Sequence, residues 1–499
     1  MNRTTLHLAT RRDRGYILVA MMALTMALLG TGIAFMQWAT DESIQGGQAH
    51  SSMQAYYVAQ AGVIERGLTW MYQQQAGLMP QTIINLSDGT VAGVGRYKNV
   101  KVTPVFGSID NNSLFSFDQK YKIEAVGIVN APWEEGEVRP DTAKAILYVQ
   151  VRSFVDYMYL TNWETSATFP GDIVRFFGRD TLWGRVHSND WIATQNAQGG
   201  IPTFWGIVST TKPDFRSGSP NPAGHFNGGA PHFNAPPVLL PEVAESIRSG
   251  AVYYNFPGEE YYMSIRGASA TVYHWPEGTE LDTLNCQNFS FTINENTCVF
   301  FDGRLRMRGV LSAEGKNMTV GCSQDIRLID NVMIEGTNTT NGLLPPNATS
   351  ILGIVSEQWI YIANTWENGR ENRTGTPPNN NRDIVITAAL IALRGSFQLE
   401  QMNDVNDPYI SPTTPDERGN IVLTGSITQW RRGYVHRSNR GGTGYNKVYH
   451  YDDRFGYRRP PCFMGATDAD GRVLLNMVQW GQASEDPVDV AAQRRVRYN

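Results

Sequence analysis

Cysteine is scarce in this chain, with four among 499 residues: Cys286, Cys298, Cys322 and Cys462. None stands in a C-x-x-C pair, and a four-cysteine zinc site needs closer spacing, so a zinc-knuckle module is excluded. Histidine numbers eight, scattered, with no H-x-x-x-H spacing for a helical metal site. No phosphate-binding loop and no dinucleotide-binding glycine fingerprint is present. Charge is thin, at 18% of residues, and the formal net charge is −5. That balance excludes a basic nucleic-acid surface. The expectation is therefore no metal, no cofactor and no nucleic-acid partner.

What is present begins at the N-terminus. Arg3, Arg11, Arg12 and Arg14 precede Gly15, and no charged residue follows until Asp41. About 20 apolar residues, rising 1.5 Å each, cross a hydrocarbon core, which predicts a membrane span over about 16–40. The positive-inside rule leaves residues 1–15 in the cytoplasm as a leader and sends the rest outward. A secretory signal cut near Ala34 or Ala39 and a plain uncleaved anchor are the alternatives. Residues 41–75 lack proline, and Met53, Tyr57, Ala61, Ile64 and Leu68 recur at helical spacing. The helical region is thus expected over 16–79, with Gly77 and Pro80 as the stop. Val58, Ala61, Ile64 and Leu68 are the residues expected to pack on the strands that follow.

Arg14-Gly15-Tyr16-Ile17-Leu18-Val19, the apolar helix, and Gln54-Ala55-Tyr56-Tyr57-Val58-Ala59-Gln60-Ala61-Gly62 resemble the N-terminus of PilX-type minor pilins and related type IV pilin-like proteins. The resemblance implies cleavage by a prepilin peptidase after Gly15, giving a mature chain that begins at Tyr16. It implies that Ile17, Leu18, Val19 and Ala20 lead a helix that serves in a membrane or a filament. Two departures stand out. Phenylalanine is commoner than tyrosine at the first mature position. Ala20 replaces the glutamate that most major pilins carry at the fifth, which argues against a bulk filament subunit. An unpaired carboxylate there would be costly in an apolar layer.

After Pro80 the period changes from helical to two. Arg96–Val102, Lys120–Val126 and Ala143–Val151 alternate, predicting a small antiparallel sheet over 80–157 packed on the helix, an α+β arrangement like a pilin head. From 158 to 499, short strands recur between glycine and asparagine turns. This predicts an all-β domain, a parallel β-solenoid with loop insertions at 364–382 and 403–419. Irregular spacing keeps a β-sandwich as the alternative. Leu182–Asp190, Leu352–Glu357, Leu423–Gly433 and Tyr451–Phe455 with Pro460-Pro461 resemble an uncharacterised bacterial family in which a pilin-like N-terminus leads into a glycine-rich β domain. That resemblance implies no activity.

Candidate chemistry in the β region is sparse. Asp180, Asp190, Asp302, Asp325, Asp330 and Asp383 sit at strand ends, where carboxylates usually cap turns. His187, Ser188 and Asp190 are too close in sequence for a catalytic triad, because adjacent side chains diverge on a strand. No catalytic residue is assigned. Cys286–Cys298 is the expected disulfide, closing a short loop, with free buried thiols as the alternative. Trp163, Trp183, Trp191, Trp205, Trp275, Trp366 and Trp430 supply flat faces for sugars or protein interfaces wherever they are exposed. The sequence therefore predicts a single-pass, pilin-like, non-enzymatic protein of the inner membrane, a minor pilin or pseudopilin. Its partners would be other pilin-like subunits, prepilin peptidase, the membrane and surface glycans. The rival is a surface-anchored carbohydrate-active enzyme on a β-solenoid, which would need two carboxylates converging on a groove.

Overall fold

The absence of proline through residue 75 lets one helix run without a break. The computed structural model describes residues 13–74, 82–105, 120–132, 138–169, 171–178, 180–196, 200–219, 226–369, 382–400, 417–437, 443–456, 458–468, 470 and 472–481. An α-helix spans Asp13–Gly62, widens to a π turn over Val63–Leu68, and closes with an α turn over Thr69–Tyr72. Residues 1–12, Gly77 and Pro80 lie outside the described residues, as does most of each expected insertion. The chain thus has one long N-terminal helix followed by a large all-β region. The helical stretch Tyr16–Tyr72 is long and apolar enough to cross a bilayer. Every residue from Tyr16 to Thr40 is exposed, so no other part of the chain among the described residues covers that run.

The second half of the helix lies on an antiparallel sheet built from Ile84–Asn85, Gly89–Val91, Gly95–Pro104, Lys120–Pro132 and Val138–Val151. The three alternating segments read from the sequence fall in the last three strands. A sixth strand, Leu475–Gly481, comes from the far end of the chain and pairs antiparallel with Val138–Val151, Leu475 opposite Val151 and Gly481 opposite Ile146. The division at residue 158 assigned that segment to the β domain; it closes the sheet edge that Val138–Val151 would otherwise leave unpaired.

Small residues set the helix–sheet distance. Ala55, Ala59, Val63 and Met71 are fully buried, with Val58 and Gly67 beside them. A Cβ on Gly127 would stand 2.0 Å from the Ala55 carbonyl oxygen, and one on Gly67 would stand 2.1 Å from Ile123 Cγ2. The buried positions recur every four residues, more than the 3.6 of an α turn, and the wider π turn takes up the drift. Of the four expected packing residues, Val58 is buried and Ala61 and Leu68 are half-buried, but Ile64 is 47% exposed. The correction has a steric cause: the sheet approaches along the Ala/Gly stripe, which leaves Met53, Tyr57 and Ile64 outside.

The β region is dominated by parallel pairing. One in-register row runs Val252, Val299, Val320, Ile354, Leu390, Ile427, Tyr159, Val186 and Val208. Apart from Val252 these side chains are buried, and together they form one wall of the main core. A second row runs Gly309, Val332, Ile386, Leu423, Tyr449, Leu182 and Phe204. Stacking order therefore departs from chain order. The early strand Tyr159–Ser166 pairs with the late strand Glu417–Arg432 on one side and with Val186–Ser188 on the other.

A strap bridges the two ends of this stack. Val238 exchanges hydrogen bonds with the Asn189 side chain (2.6 and 3.0 Å). Further along, Arg394 Nε donates to the Glu242 carbonyl (3.1 Å), and the Ala244 amide donates to Glu357 (2.9 Å). Arg248 pairs with Glu357 at 2.6 Å and lies over the Phe300 ring at 4.6 Å. Val238, Leu240, Ala244 and Ile247 bury their side chains against Leu160, Ile391, Val355 and Phe300. Residues 459–466 cover the same face: Phe463 abuts Gly353, and Thr319 Oγ1 bonds the Pro461 carbonyl. The disulfide follows from that path. Cys298 bonds Cys462, 164 residues away, and Cys286 is a free thiol. The expected Cys286–Cys298 bridge is thus corrected, because the return segment brings Cys462 over the strand that carries Cys298.

Candidate functional site

The two residues of the expected processing site lie at the start of the helix. Gly15 is inside its first turn, since the helix begins at Asp13, and Tyr16 is 84% exposed. Ile17, Leu18, Val19 and Ala20 are also exposed, as a lipid- or subunit-facing surface requires.

The strand-end carboxylates are engaged in holding the fold. Asp180 pairs with Lys447 at 2.8 Å and accepts the Phe177 amide at 3.1 Å. Asp190 accepts the Glu164 amide at 3.1 Å, and Asp302 accepts Ser323 Oγ at 2.7 Å and the Tyr253 hydroxyl at 2.8 Å. Asp325 accepts the Trp359 amide, Asp330 the Asn331 amide, and Asp383 the Asn420 amide. His187 occupies a ladder position under the strap, with Nδ1 2.8 Å from Ser209 Oγ and Nε2 3.0 Å from Asn189 Oδ1. Burial pushes its pKa down to about 4. Among the described residues no group of three His, Cys, Asp or Glu side chains is placed to hold a metal. His225 lies outside them.

The most chemically varied surface is a sheet face that alternation alone creates. Glu259–Gly267, Leu305–Leu311, Ile326–Ile334, Ile360–Ile362 and Phe397–Leu399 pair in parallel succession. Tyr261, Leu305, Ile326, Ile360 and Phe397 point inward and are buried. With a period of two, the next residues, Tyr262, Arg306, Arg327, Tyr361 and Gln398, line the opposite face in register. The antiparallel strand Ser269–Pro276 adds Tyr273 beside Tyr262, with the two rings stacked at 5.6 Å.

Charge on this face is balanced locally. Arg306 pairs with Glu260 at 3.0 Å, Arg304 with Glu277 at 2.9 Å, Arg327 with Glu400 at 2.7 Å, and Arg308 faces Asp330 at 3.9 Å. The four arginine side chains remain 25–39% exposed. Arg306 lies over Trp275 at 5.1 Å and Arg327 over Tyr361 at 6.0 Å. The Nε atoms of Arg304 and Arg306 are buried without an acceptor. Burial, opposed by the nearby Arg327, raises the Asp325 carboxyl, and burial also pushes the Tyr361 hydroxyl up to about 12. A depression of about 430 Å³ adjoins the row, lined in part by Ser264, Arg266, Arg308 and Asp330. Such a surface can hydrogen-bond and stack; its carboxylates are committed to arginines and do not converge on one reacting centre.

The tryptophans divide between roles. Trp275 is buried, while Trp163, Trp183, Trp205 and Trp366 are 40–47% exposed. Trp183 and Trp205 stack at 4.4 Å, one rung apart. They expose a repeat that the sequence carries: Thr181-Leu182-Trp183-Gly184 and Thr203-Phe204-Trp205-Gly206 are offset by 22 residues. A Cβ on Gly206 would meet the Gly184 carbonyl oxygen at 2.0 Å, so only glycine permits the rungs to approach this closely. No family model, curated protein or solved structure matches the chain.

Proposed function

We propose that the chain is a pilin-like structural protein, a minor pilin or pseudopilin, that anchors in the inner membrane and displays its β region outside. The observation that carries this reading is the division of one continuous helix: bare and apolar over Tyr16–Thr40, then clasped by an antiparallel sheet through Ala55, Ala59 and Val63. A helix of that kind is equally suited to wait in a bilayer and to pack beside copies of itself. The basic stub ahead of Gly15 supports an orientation with the N-terminus in the cytoplasm and processing after Gly15. The parallel rows support a further reading of the β region as a β-solenoid, its coils stacked so that each buries the apolar side of the next. Its role is assembly with other pilin-like subunits or adhesion, and it is not an enzyme: its strand-end carboxylates cap backbone amides or pair with cations.

Mass spectrometry of the protein from cells with an active prepilin peptidase tests this directly. The expected mature N-terminus is Tyr16, and Gly15→Val should leave the precursor uncut. Recovery of wild-type chain that retains Met1 and the basic stub, in the presence of the peptidase, would sink the reading.

A further inference from the structure

We propose that the outward row from Tyr273 to Gln398 binds an uncharged, extended polysaccharide laid across the strands, along the stacking direction. The proposal rests on the display reading, since the β region must face outside to meet such a ligand.

Three observations converge on this ligand class. The first is coverage. The wall that carries Leu160, Val355 and Ile391 is sealed by the strap and by residues 459–466. On a second face, Thr424 Oγ1 bonds the Gly342 carbonyl at 2.6 Å, so the 337–343 loop lies over it. Among the described residues no comparable segment bonds over the middle of the row, where Arg306 and Arg327 keep 33% and 25% of their side chains exposed.

The second is charge. Arg304, Arg306, Arg308 and Arg327 each have a carboxylate within 3.9 Å, so the middle of the row offers little net field to attract a polyanion or a polycation, and Arg266 at its margin is the one arginine there without an ion pair among the described residues. Paired guanidinium and carboxylate groups instead present donors and acceptors side by side. That pattern matches the adjacent hydroxyls of a neutral sugar, which donate and accept at once. Tyr273 and Tyr361, both partly exposed, add aromatic surface of the kind that packs on sugar C–H groups.

The third is repetition. Five ladder steps separate Tyr273 from Gln398. At ~4.8 Å per step the row is about 24 Å long. Along it Tyr273, Arg306, Arg327 and Tyr361 are partly exposed to a ligand, while Tyr262 and Gln398 are buried. A linear polymer of repeating sugars can reach all four of these exposed groups, whereas a compact metabolite would use only the shallow depression beside Arg308.

The experiment titrates the full-length protein in detergent with hexasaccharides of glucose, N-acetylglucosamine and xylose, and with alginate as the anionic control, by isothermal calorimetry. Saturable binding of at least one neutral hexasaccharide is expected, with alginate much weaker. Arg306→Gln and Tyr361→Ala should each weaken that binding by about tenfold or more. Tyr361→Phe, which keeps the ring, should retain most of it, and unchanged melting of the variants shows that the loss is local. No binding of any neutral hexasaccharide, preference for alginate, or titrations that Arg306→Gln and Tyr361→Ala both leave unchanged would each overturn the proposal. The uncut Gly15→Val precursor should bind as the wild type does, so a failure of the processing reading shows separately from a failure of this one.

Discussion

Arg432 and Glu164 form an ion pair of 2.8 Å with both side chains 2% exposed. The Arg432 guanidinium also lies 3.5 Å from the centre of the Phe176 ring, inside the β region. The pair sits where the late strand Glu417–Arg432 meets the early strand Tyr159–Ser166. Close by, Lys447 and Asp180 make a second pair with 14% and 5% side-chain exposure. Apolar interiors hold charges only when they are paired, so these contacts penalise any slipped joining of the two parts of the chain.

Removing one partner leaves a buried charge alone. Arg432→Ala or Glu164→Ala should cost about 3–5 kcal/mol of stability. The apolar double replacement Glu164→Leu with Arg432→Met should recover most of that loss. Urea denaturation of the single and double variants measures both. Equal destabilisation by the double variant would mean that the pair contributes real attraction beyond mutual neutralisation.

The helix–sheet contact makes a second prediction. Gly127→Ala forces its new methyl into the Ala55 carbonyl at 2.0 Å, where backbone must move. Destabilisation of about 1–3 kcal/mol is expected from overpacking. Ile64→Asp, on the exposed stripe, should change stability by no more than about 0.5 kcal/mol. Thermal melts of both variants separate the Ala/Gly stripe from the Met53–Tyr57–Ile64 stripe as the packing face.

The C-terminal strand makes a third. Ending the chain after Leu474 uncovers the edge of Val138–Val151, and exposed edges recruit other chains. The truncated protein should melt lower and self-associate. By the same logic a fragment of residues 159–499 carries Leu475–Gly481 without its partner strand, whereas 159–468 does not. Size-exclusion chromatography should show association of the longer fragment and a monomer for the shorter. Two monomers would show that this strand is dispensable.

Acid sensitivity makes the fourth. The ring nitrogens of His187 are both engaged, and burial holds its pKa near 4 against an ordinary 6.5. His436 is likewise held at about 4 by burial and the adjacent Lys447. Between these values the unfolded chain binds protons that the folded chain refuses, so stability falls as pH drops from about 6.5 to 4. Below that window both states are protonated and the contribution levels off. The melting temperature of His187→Gln should depend less steeply on pH across the window. A slope identical to wild type would show that His187 does not contribute.

Much of this fold is written in local periodicity. The proline-free helix and the alternating strands Arg96–Val102 and Ala143–Val151 depend only on neighbours, and they are legible from sequence. Ile64 is the instructive failure. Two stripes at helical spacing run along the same helix, and period alone cannot rank them. Steric closeness does, and it favours Ala55 and Ala59 because a small side chain lets the sheet approach. Cys298–Cys462 is illegible for a different reason: it depends on a stacking order that places residue 427 beside residue 159. The 22-residue repeat around Trp183 and Trp205 stands in the sequence, but with two copies among irregularly spaced strands it is recognised only once the two rings are seen to stack. The outward arginines show as alternation in Leu305-Arg306-Met307-Arg308, but which face stays open is decided by the strap, whose position no local pattern encodes.

That strap is also a ruler. From the Val252 strand to the bridge at His232 the stack takes nine steps, and residues 233–251 connect its two extremes. Nine steps at ~4.8 Å come to about 43 Å, within the roughly 60 Å that 19 extended residues can reach. Both ends of the stack are thus tied by one tether of set length. Proteins built from repeats usually lengthen by duplicating a unit at an end. Here an added 22-residue repeat would push the ends apart and demand a longer tether at the same moment, so the size of this domain is locked against growth in single steps.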